Sequence, residues 1–153
     1  AIRELIHEFK YNGKDYLGRP LSKLMIEFIK EYNLPIQMLD GVVPIPLHKA
    51  RLREREFNQA QILSEFIAAE FKMEVFNDVL LRHRQTKTQT ELQMQERLLN
   101  VKESFRADKG ARVKGKNLLL VDDVLTTGAT SSEAAYALKN AGAGIVFVLA
   151  LAN

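Results

Sequence analysis

Residues 118–130 read LLLVDDVLTTGAT and predict the fold of the chain. The stretch begins with four apolar residues without alternation, which is typical of a parallel strand covered on both faces. The strand is predicted to end at two adjacent acids, Asp122 and Asp123. Ligands of open α/β sheets bind beyond the carboxyl ends of the strands, so we expect this acid pair at a binding edge.

The turn after the acids has the composition of an anion site. Its small and hydroxyl-bearing residues are Thr126, Thr127, Gly128, Ala129 and Thr130. Gly128 permits a positive φ or a close backbone approach, and the N-terminus of a following helix attracts an anion. Thr130 and Glu133 have capping-box spacing, which predicts the helix start there. The stretch indicates a ligand with both a phosphate and a ribose; the alternative is an ordinary strand, turn and helix with a solvated acid pair.

Two helices are predicted before the first core strand. One is amphipathic and covers residues 2–9, and the second starts at Pro20 and closes at Asn33 and Pro35. The second helix carries an apolar stripe of Leu21, Leu24, Met25, Phe28, Ile29 and Tyr32. This stripe has helical spacing and is interpreted either as core packing or as part of a hood over an acceptor.

Strand and helix patterns then alternate to the end of the chain. The predicted strands cover residues 41–46, 79–82, 118–121 and 145–152, and the predicted helices start at Asn58 and cover residues 131–141. This alternation predicts an α/β fold with a mainly parallel sheet flanked by helices and connected by right-handed crossovers.

A basic stretch and a polar arm connect these elements. The basic stretch contains His48, Lys49, Arg51, Arg53 and Arg55. The positive charge of this stretch suits the binding of a pyrophosphate. The alternative interpretation is that these side chains form a solvated, charged face. The arm, residues 84–100, is polar and poor in strand formers, so it is interpreted as a mobile segment that closes over the site.

Composition limits the classes of protein. The 153 residues suffice for one domain with a core, and 46% hydrophobic and 27% charged residues is an ordinary soluble balance. No apolar run is long enough to span a bilayer, and no signal-peptide pattern opens the chain. The absence of cysteine excludes disulfides and thiolate metal sites within these residues and favours a cytoplasmic setting. The net charge of +3 suits an anionic ligand and permits nucleic-acid contact.

Residues 118–130 resemble the phosphoribosyl-pyrophosphate signature of type I phosphoribosyltransferases: four apolar residues, two acids, two apolar residues, then small and hydroxyl residues around a glycine. The resemblance implies the type I phosphoribosyltransferase-like fold. It also implies that Asp122 and Asp123, as catalytic residues, hold the ribose hydroxyls and that residues 126–130 hold the 5′-phosphate. Mg²⁺ is the implied cofactor, held by both acids directly or through water.

The same resemblance implies a pyrophosphate leaving group, displaced through an oxocarbenium-like state if the protein is active. We expect the pyrophosphate on the loop after the first strand, at Leu47, His48, Lys49 and Arg51. No residue stands out as a general base for an incoming nucleophile, which is a gap in the enzyme interpretation.

Nearly the whole chain resembles the ComF family of competence proteins. The segments that carry the resemblance are Leu5-Ile6-His7 through Phe9-Lys10-Tyr11, Val43-Pro44-Ile45-Pro46-Leu47, Arg55-Glu56-Phe57-Asn58-Gln59-Ala60, and then Thr86, Gln89, Leu92, Arg97, Asn100 and Phe105. Related spacing of Arg97, Asn100 and the signature occurs in amidophosphoribosyltransferases.

Two features depart from the ComF pattern. The family usually has glycine where this chain has Glu56, so a loop suited to close backbone approach is expected to be altered. The family also usually begins with a four-cysteine zinc module, which implies either a fragment that starts after that module or its natural loss. We expect residues 1–153 to form a single phosphoribosyltransferase-like domain, with residues 1–35 as a helical hood.

Two functions from different classes remain open. The ComF resemblance implies a binding module for DNA uptake in competence, with a helicase-like partner and single-stranded DNA. The alternative is an active phosphoribosyltransferase of nucleotide metabolism with an unknown acceptor. In both, the expected ligand is phosphoribosyl pyrophosphate or a related sugar phosphate, and a homodimer is among the expected assemblies.

Overall fold

The computed structural model describes residues 2–11, 15–82, 105–107 and 112–153. Its α-helices are α1 (Ile2–Tyr11), α2 (Gly18–Glu31), α3 (Lys49–Arg55), α4 (Gln59–Phe71) and α5 (Ala129–Asn140). Its strands are β1 (Gly41–Pro44), β2 (Glu74–Val75), β3 (Leu80–Arg82), β4 (Phe105–Ala107), β5 (Leu118–Val124) and β6 (Val146–Ala152). Short 3₁₀ turns at Asp15–Leu17 and Ile36–Met38 precede α2 and β1. None of these helices is both long and apolar enough to cross a membrane.

The main sheet is parallel, with strand order β2-β1-β5-β6. β5 lies between β1 and β6, so its apolar start at Leu118 is buried on both faces, as the sequence predicts. The predicted strand at residues 79–82 exists as β3, but it does not join this sheet. It pairs antiparallel with β4 instead, and the two strands form a separate two-stranded sheet.

Two core clusters lie on opposite faces of the main sheet. One joins α1, α2 and α4 to the sheet through residues such as Phe9, Leu63 and Leu119. The other joins α5 and the β3–β4 pair to the sheet through residues such as Leu138 and Leu120. Since neighbouring residues of a strand point to opposite faces, β5 contributes alternate side chains to the two clusters.

The second helix starts earlier than its sequence pattern predicts. It begins at Gly18, and Pro20 is its third residue, where the missing backbone N–H costs no helical hydrogen bond. Half of its apolar stripe belongs to the core, namely Leu21, Met25 and Ile29. The other half is exposed, namely Leu24, Phe28 and Tyr32. Core packing therefore accounts for three of the six stripe residues.

The start of α4 is confirmed at Asn58 and is tied to the sheet. The Asn58 side chain accepts a hydrogen bond from the Ala60 N–H at 3.1 Å and donates to the Ile45 carbonyl at 3.1 Å. The first bond caps the helix. The second holds that cap against the segment that leaves β1, so the helix start and the strand end are fixed relative to each other.

Candidate functional site

The acid pair lies inside β5 rather than after it. The strand continues through Asp122 and Asp123 to Val124, because Asp122 and Val124 still pair with β6. The prediction that the strand ends before the acids is therefore wrong by three residues. The pair still lies at the carboxyl end of the parallel sheet, the edge at which α/β sheets bind ligands.

Backbone hydrogen bonds orient both carboxyl groups. The Asp123 N–H donates to Asp122 Oδ1 at 2.8 Å, and the Val124 N–H donates to Asp123 Oδ1 at 2.7 Å. Burial raises the pKa of Asp122 to about 8, with further contributions from the charge of Asp123 and a side-chain hydrogen bond to it.

Lys10 of α1 reaches the acid pair from one face of the sheet. Its Nζ lies 3.0 Å from Asp123 Oδ2, and both side chains are largely buried, with exposed fractions of 18% and 11%. Its charge also favours the ionised form of Asp122, opposing the rise in that pKa. Lys10 lies in one of the segments that resemble the ComF family, but no local pattern predicts this contact, since Lys10 lies more than a hundred residues before Asp123.

A guanidinium cluster lies on the side of Asp122. Arg82, the last residue of β3, is half-buried, and its guanidinium carbon lies 5.1 Å from the centre of the Phe105 ring. Burial, together with the nearby charges of Arg51 and Arg55, lowers the pKa of Arg82 to about 10, and the charge of Asp122 opposes this decrease. The charges of Arg51, Arg55 and Asp122 therefore all act on the Arg82 guanidinium.

Neither Arg55 nor Arg82 is among the predicted site residues. Arg55 belongs to the basic stretch, whose alternating charges equally suit a solvated face. Arg82 ends a short strand before a polar segment, and its only sequence signal is a cation next to apolar Leu80 and Leu81. β3 comes to the site through the antiparallel β3–β4 pair, which the sequence pattern did not predict.

The turn from β5 into α5 has the geometry of an anion site. Gly128 has φ +80° and a Cβ placed there would meet no atom within 4 Å, so the space beside its backbone is open. The Thr127 hydroxyl oxygen accepts a hydrogen bond from the Ala129 N–H at 3.2 Å. Thr126 is exposed and Thr130 half-buried. The predicted residues 126–130 therefore lie together on one turn at the N-terminus of a helix.

The helix after this turn begins earlier than predicted. Its N-cap is Gly128 and its first residue Ala129, so the capping-box assignment to Thr130 and Glu133 is wrong. The left-handed conformation of Gly128 lets the chain turn directly from the strand into the helix, which brings the helix N-terminus closer to the acids.

The predicted pyrophosphate residues are divided between a loop and a helix. Leu47 and His48 lie in the loop after β1, whose first residue, Ile45, donates its N–H to the Val121 carbonyl at 2.9 Å. Lys49 and Arg51 lie in α3, so the prediction of a continuous basic loop is wrong. His48 Nδ1 caps this helix by accepting from the Ala50 N–H at 3.2 Å, so this N–H is already satisfied.

The donor set at the acid pair fits Mg²⁺ that arrives with a ligand. Asp122 and Asp123 supply carboxylate oxygens, the ligands that Mg²⁺ prefers, and Mg²⁺ usually binds through one or two carboxylates plus substrate phosphates. Within the described ranges, no group of three or more acids or histidines forms a complete metal site. Phosphate oxygens of a ligand would therefore have to complete the coordination.

One predicted part of the site lies outside the described residues. This is the polar arm at residues 84–100, which contains the ComF-like positions Thr86, Gln89, Leu92, Arg97 and Asn100.

Comparisons with known proteins agree with the fold. Residues 59–153 match the model of the phosphoribosyl transferase domain family. The glutamine phosphoribosylpyrophosphate amidotransferase of Bacillus subtilis has a similar fold, with a TM-score of 0.54 and 20% identity over 92% of this chain and 26% of that one.

Curated relatives are similar over almost the full chain. The DNA utilization protein YhgH of Escherichia coli K12 is 32% identical over 152 residues, which cover 98% of this chain and 66% of that protein. Competence protein ComFC of Bacillus subtilis is 34% identical over 142 residues, which cover 92% of this chain and 55% of that protein. The chain thus spans just under two thirds of the length of the Escherichia coli relative. It belongs to the phosphoribosyl transferase domain family and, by its similarity to these relatives, to the ComF family.

Proposed function

We propose that this chain binds phosphoribosyl pyrophosphate, or a closely related ribose phosphate, at the carboxyl edge of β5. One observation carries the proposal: two oriented carboxyl groups and an open, glycine-containing helix N-terminus follow each other on one strand and turn. The acids Asp122 and Asp123 accept hydrogen bonds from a sugar diol, and residues 126–130 bind the 5′-phosphate through backbone N–H groups and hydroxyls.

The cations on the other side of Asp122 suit the second charged group of such a ligand. The charges of Arg51 and Arg55 act on the half-buried Arg82 beside Asp122, so the three guanidinium groups are close enough to interact with one polyanion. Together with Leu47, His48 and Lys49 they would bind the pyrophosphate. Mg²⁺, held by Asp122, Asp123 and ligand oxygens, would neutralise the charge that the arginines leave on the pyrophosphate.

The proposed biological role is in DNA uptake during competence, as a ligand-binding module. The support is the ComF-like family together with relatives that are named for competence and for DNA utilization. In this role the partners would be single-stranded DNA and a helicase-like competence protein, the assembly would be a homodimer or a larger complex, and the location would be cytoplasmic.

Calorimetry tests the ligand directly. Wild type should bind phosphoribosyl pyrophosphate in the presence of Mg²⁺, and the double variant Asp122→Asn, Asp123→Asn should not. Each neutral amide lacks the negative charge that attracts the metal and keeps only one acceptor oxygen for the diol. Asp78→Asn is the matched control, since Asp78 is an exposed acid that pairs with Arg112. Equal affinity in wild type and the double variant would contradict the assigned roles.

Two further measurements separate the function classes. Binding of single-stranded DNA through phosphates should weaken steeply as salt is raised, whereas the sugar-phosphate site should respond much less. Release of pyrophosphate on addition of amines or nucleobases would instead support the transferase alternative.

A further inference from the structure

Lys10 is held at the acid pair by a rigid segment of α1. The preceding residue, Phe9, is fully buried, and its ring centre lies 5.6 Å from that of Phe57. The Phe9 carbonyl also accepts a hydrogen bond from Gln59 Nε2 at 3.4 Å. The 3.0 Å contact between Lys10 and Asp123 therefore results from the packing of α1 and is not the chance position of a surface lysine.

The residue after Lys10 points to the guanidinium cluster. The Tyr11 hydroxyl accepts a hydrogen bond from Arg55 Nη2 at 3.4 Å, and the Arg55 guanidinium carbon lies 5.2 Å from the centre of the Tyr11 ring. The other end of α1 lies at the opposite side of the site, where Arg3 and Ile6 line a cavity of about 300 Å³ with Thr126. Lys10 is thus on the pyrophosphate side of the acid pair, away from the 5′-phosphate turn.

The chemistry of Lys10 fits a second acceptor. An ammonium group has three donors and no acceptor, and Asp123 Oδ2 takes one of these donors. Burial of this pair is costly unless the remaining donors also find partners. An anionic oxygen of a ligand bound beside Asp123 would provide one.

We propose that Lys10 is a ligand-binding residue whose ammonium, anchored by Asp123, donates to the oxygens carried on C1 of the sugar phosphate. This inference rests on the proposed function. Through Lys10, α1 would make the site prefer a ligand with a charged group at C1 over one with a hydroxyl at C1. A hydroxyl gives the ammonium no anionic partner.

The test compares two ligands and three variants by calorimetry at fixed Mg²⁺. Lys10→Met should lower the affinity for phosphoribosyl pyrophosphate by about tenfold or more, since a hydrogen bond to a charged group is lost. Its affinity for ribose 5-phosphate should stay within about twofold of wild type, because that ligand lacks the C1 phosphates. Lys10→Arg should recover part of the lost affinity. Lys23→Met is the control, since Lys23 is an exposed lysine of α2.

Each other outcome has a defined meaning. An equal loss for both ligands would assign Lys10 a structural role only and overturn the inference, as would unchanged affinity for phosphoribosyl pyrophosphate. A gain in affinity would show that Lys10 blocks the site and would overturn it too. Thermal unfolding of each variant shows whether it is folded. If Lys10→Met does not fold, the comparison of the two ligands is made with Lys10→Arg. If wild type binds neither ligand, the proposed function itself fails.

Discussion

Asp122 and Asp123 are neighbours in the chain but have different surroundings. Because side chains alternate along β5, Asp123 meets Lys10 from the face covered by α1, and Asp122 meets the cluster that includes Arg82. Asp123 thus has a direct ion pair in the absence of ligand. Asp122 has a raised pKa of about 8, because burial and the charge of Asp123 outweigh the nearby cations.

We predict that stability falls as pH rises through the range in which Asp122 ionises. Its pKa is raised in the folded protein to about 8 from an ordinary value of 3.8, so the folded state binds the proton more tightly than the unfolded state. The stabilisation that comes from this bound proton is fully present below about pH 4 and is lost as pH rises towards the folded pKa. The free energy of unfolding should change by an amount on the order of a few kcal/mol. Urea denaturation at a series of pH values measures this change.

Asp122→Asn should remove most of this pH dependence. The amide does not ionise, so the variant should exceed wild type in stability near pH 9 and differ little near pH 4. Asp78→Asn serves as the control, because an exposed ion pair contributes little. Equal stability of wild type near pH 4 and near pH 9 would contradict the raised pKa of Asp122.

The junctions between elements use left-handed residues where the chain turns sharply. Gly128 joins β5 to α5 with φ +80°, and Glu56 ends α3 with φ +67°. The glycine adopts this conformation without strain, whereas a residue with a side chain does so at a cost. This explains physically why ComF proteins usually have glycine at the position of Glu56.

We predict that Glu56→Gly stabilises the fold. Relief of the left-handed strain should outweigh the added freedom of the unfolded chain, leaving a net gain of about 0.5–1 kcal/mol. Glu54→Gly is the matched control: Glu54 lies within α3, so glycine there should destabilise by about 1 kcal/mol. Urea denaturation midpoints of the two variants should shift in opposite directions, and a shared direction would refute the explanation.

At the scale of the whole molecule, α1 belongs to the same core as the sheet. Phe9 and Met25 share a cluster with Val42 of β1 and Val121 of β5. The sheet, α2 and α4 therefore determine where α1 lies over the acids. A hood over an acceptor remains a prediction for residues 1–35, but α1 and α2 do not stand apart from the core.

We predict that Phe9→Ala destabilises the protein by about 3–5 kcal/mol, because it leaves a cavity in a fully buried site. Unfolding should remain one cooperative transition, since α1 and the sheet share a core. Circular dichroism and tyrosine fluorescence during urea denaturation measure the loss of stability and show whether unfolding is a single transition. Leu5→Ala is the control on the same helix, because Leu5 is exposed. Separate transitions, with α1 lost first, would contradict the shared core.

The sequence alone predicted the elements whose signals are local. The apolar run at the start of β5, the Asn58 cap of α4 and the glycine turn at Gly128 each depend on residues next to one another in the chain, so all three are found close to where they were expected. Boundaries were less accurate: the acids extend β5, and α5 starts at Ala129, because strand pairing and a left-handed glycine override local spacing.

Only the tertiary structure decided which cations reach the acids. Lys10 and Arg82 come from α1 and β3. Although Lys10 lies in a ComF-like segment, no local pattern predicts that either residue reaches the acids. Their positions depend on how α1 packs beside Phe57 and how β3 pairs with β4, which are contacts between residues far apart in the chain. The acid pair and its phosphate turn are local features of one segment and could be read directly, whereas the charges around them arise from packing on both faces of the sheet.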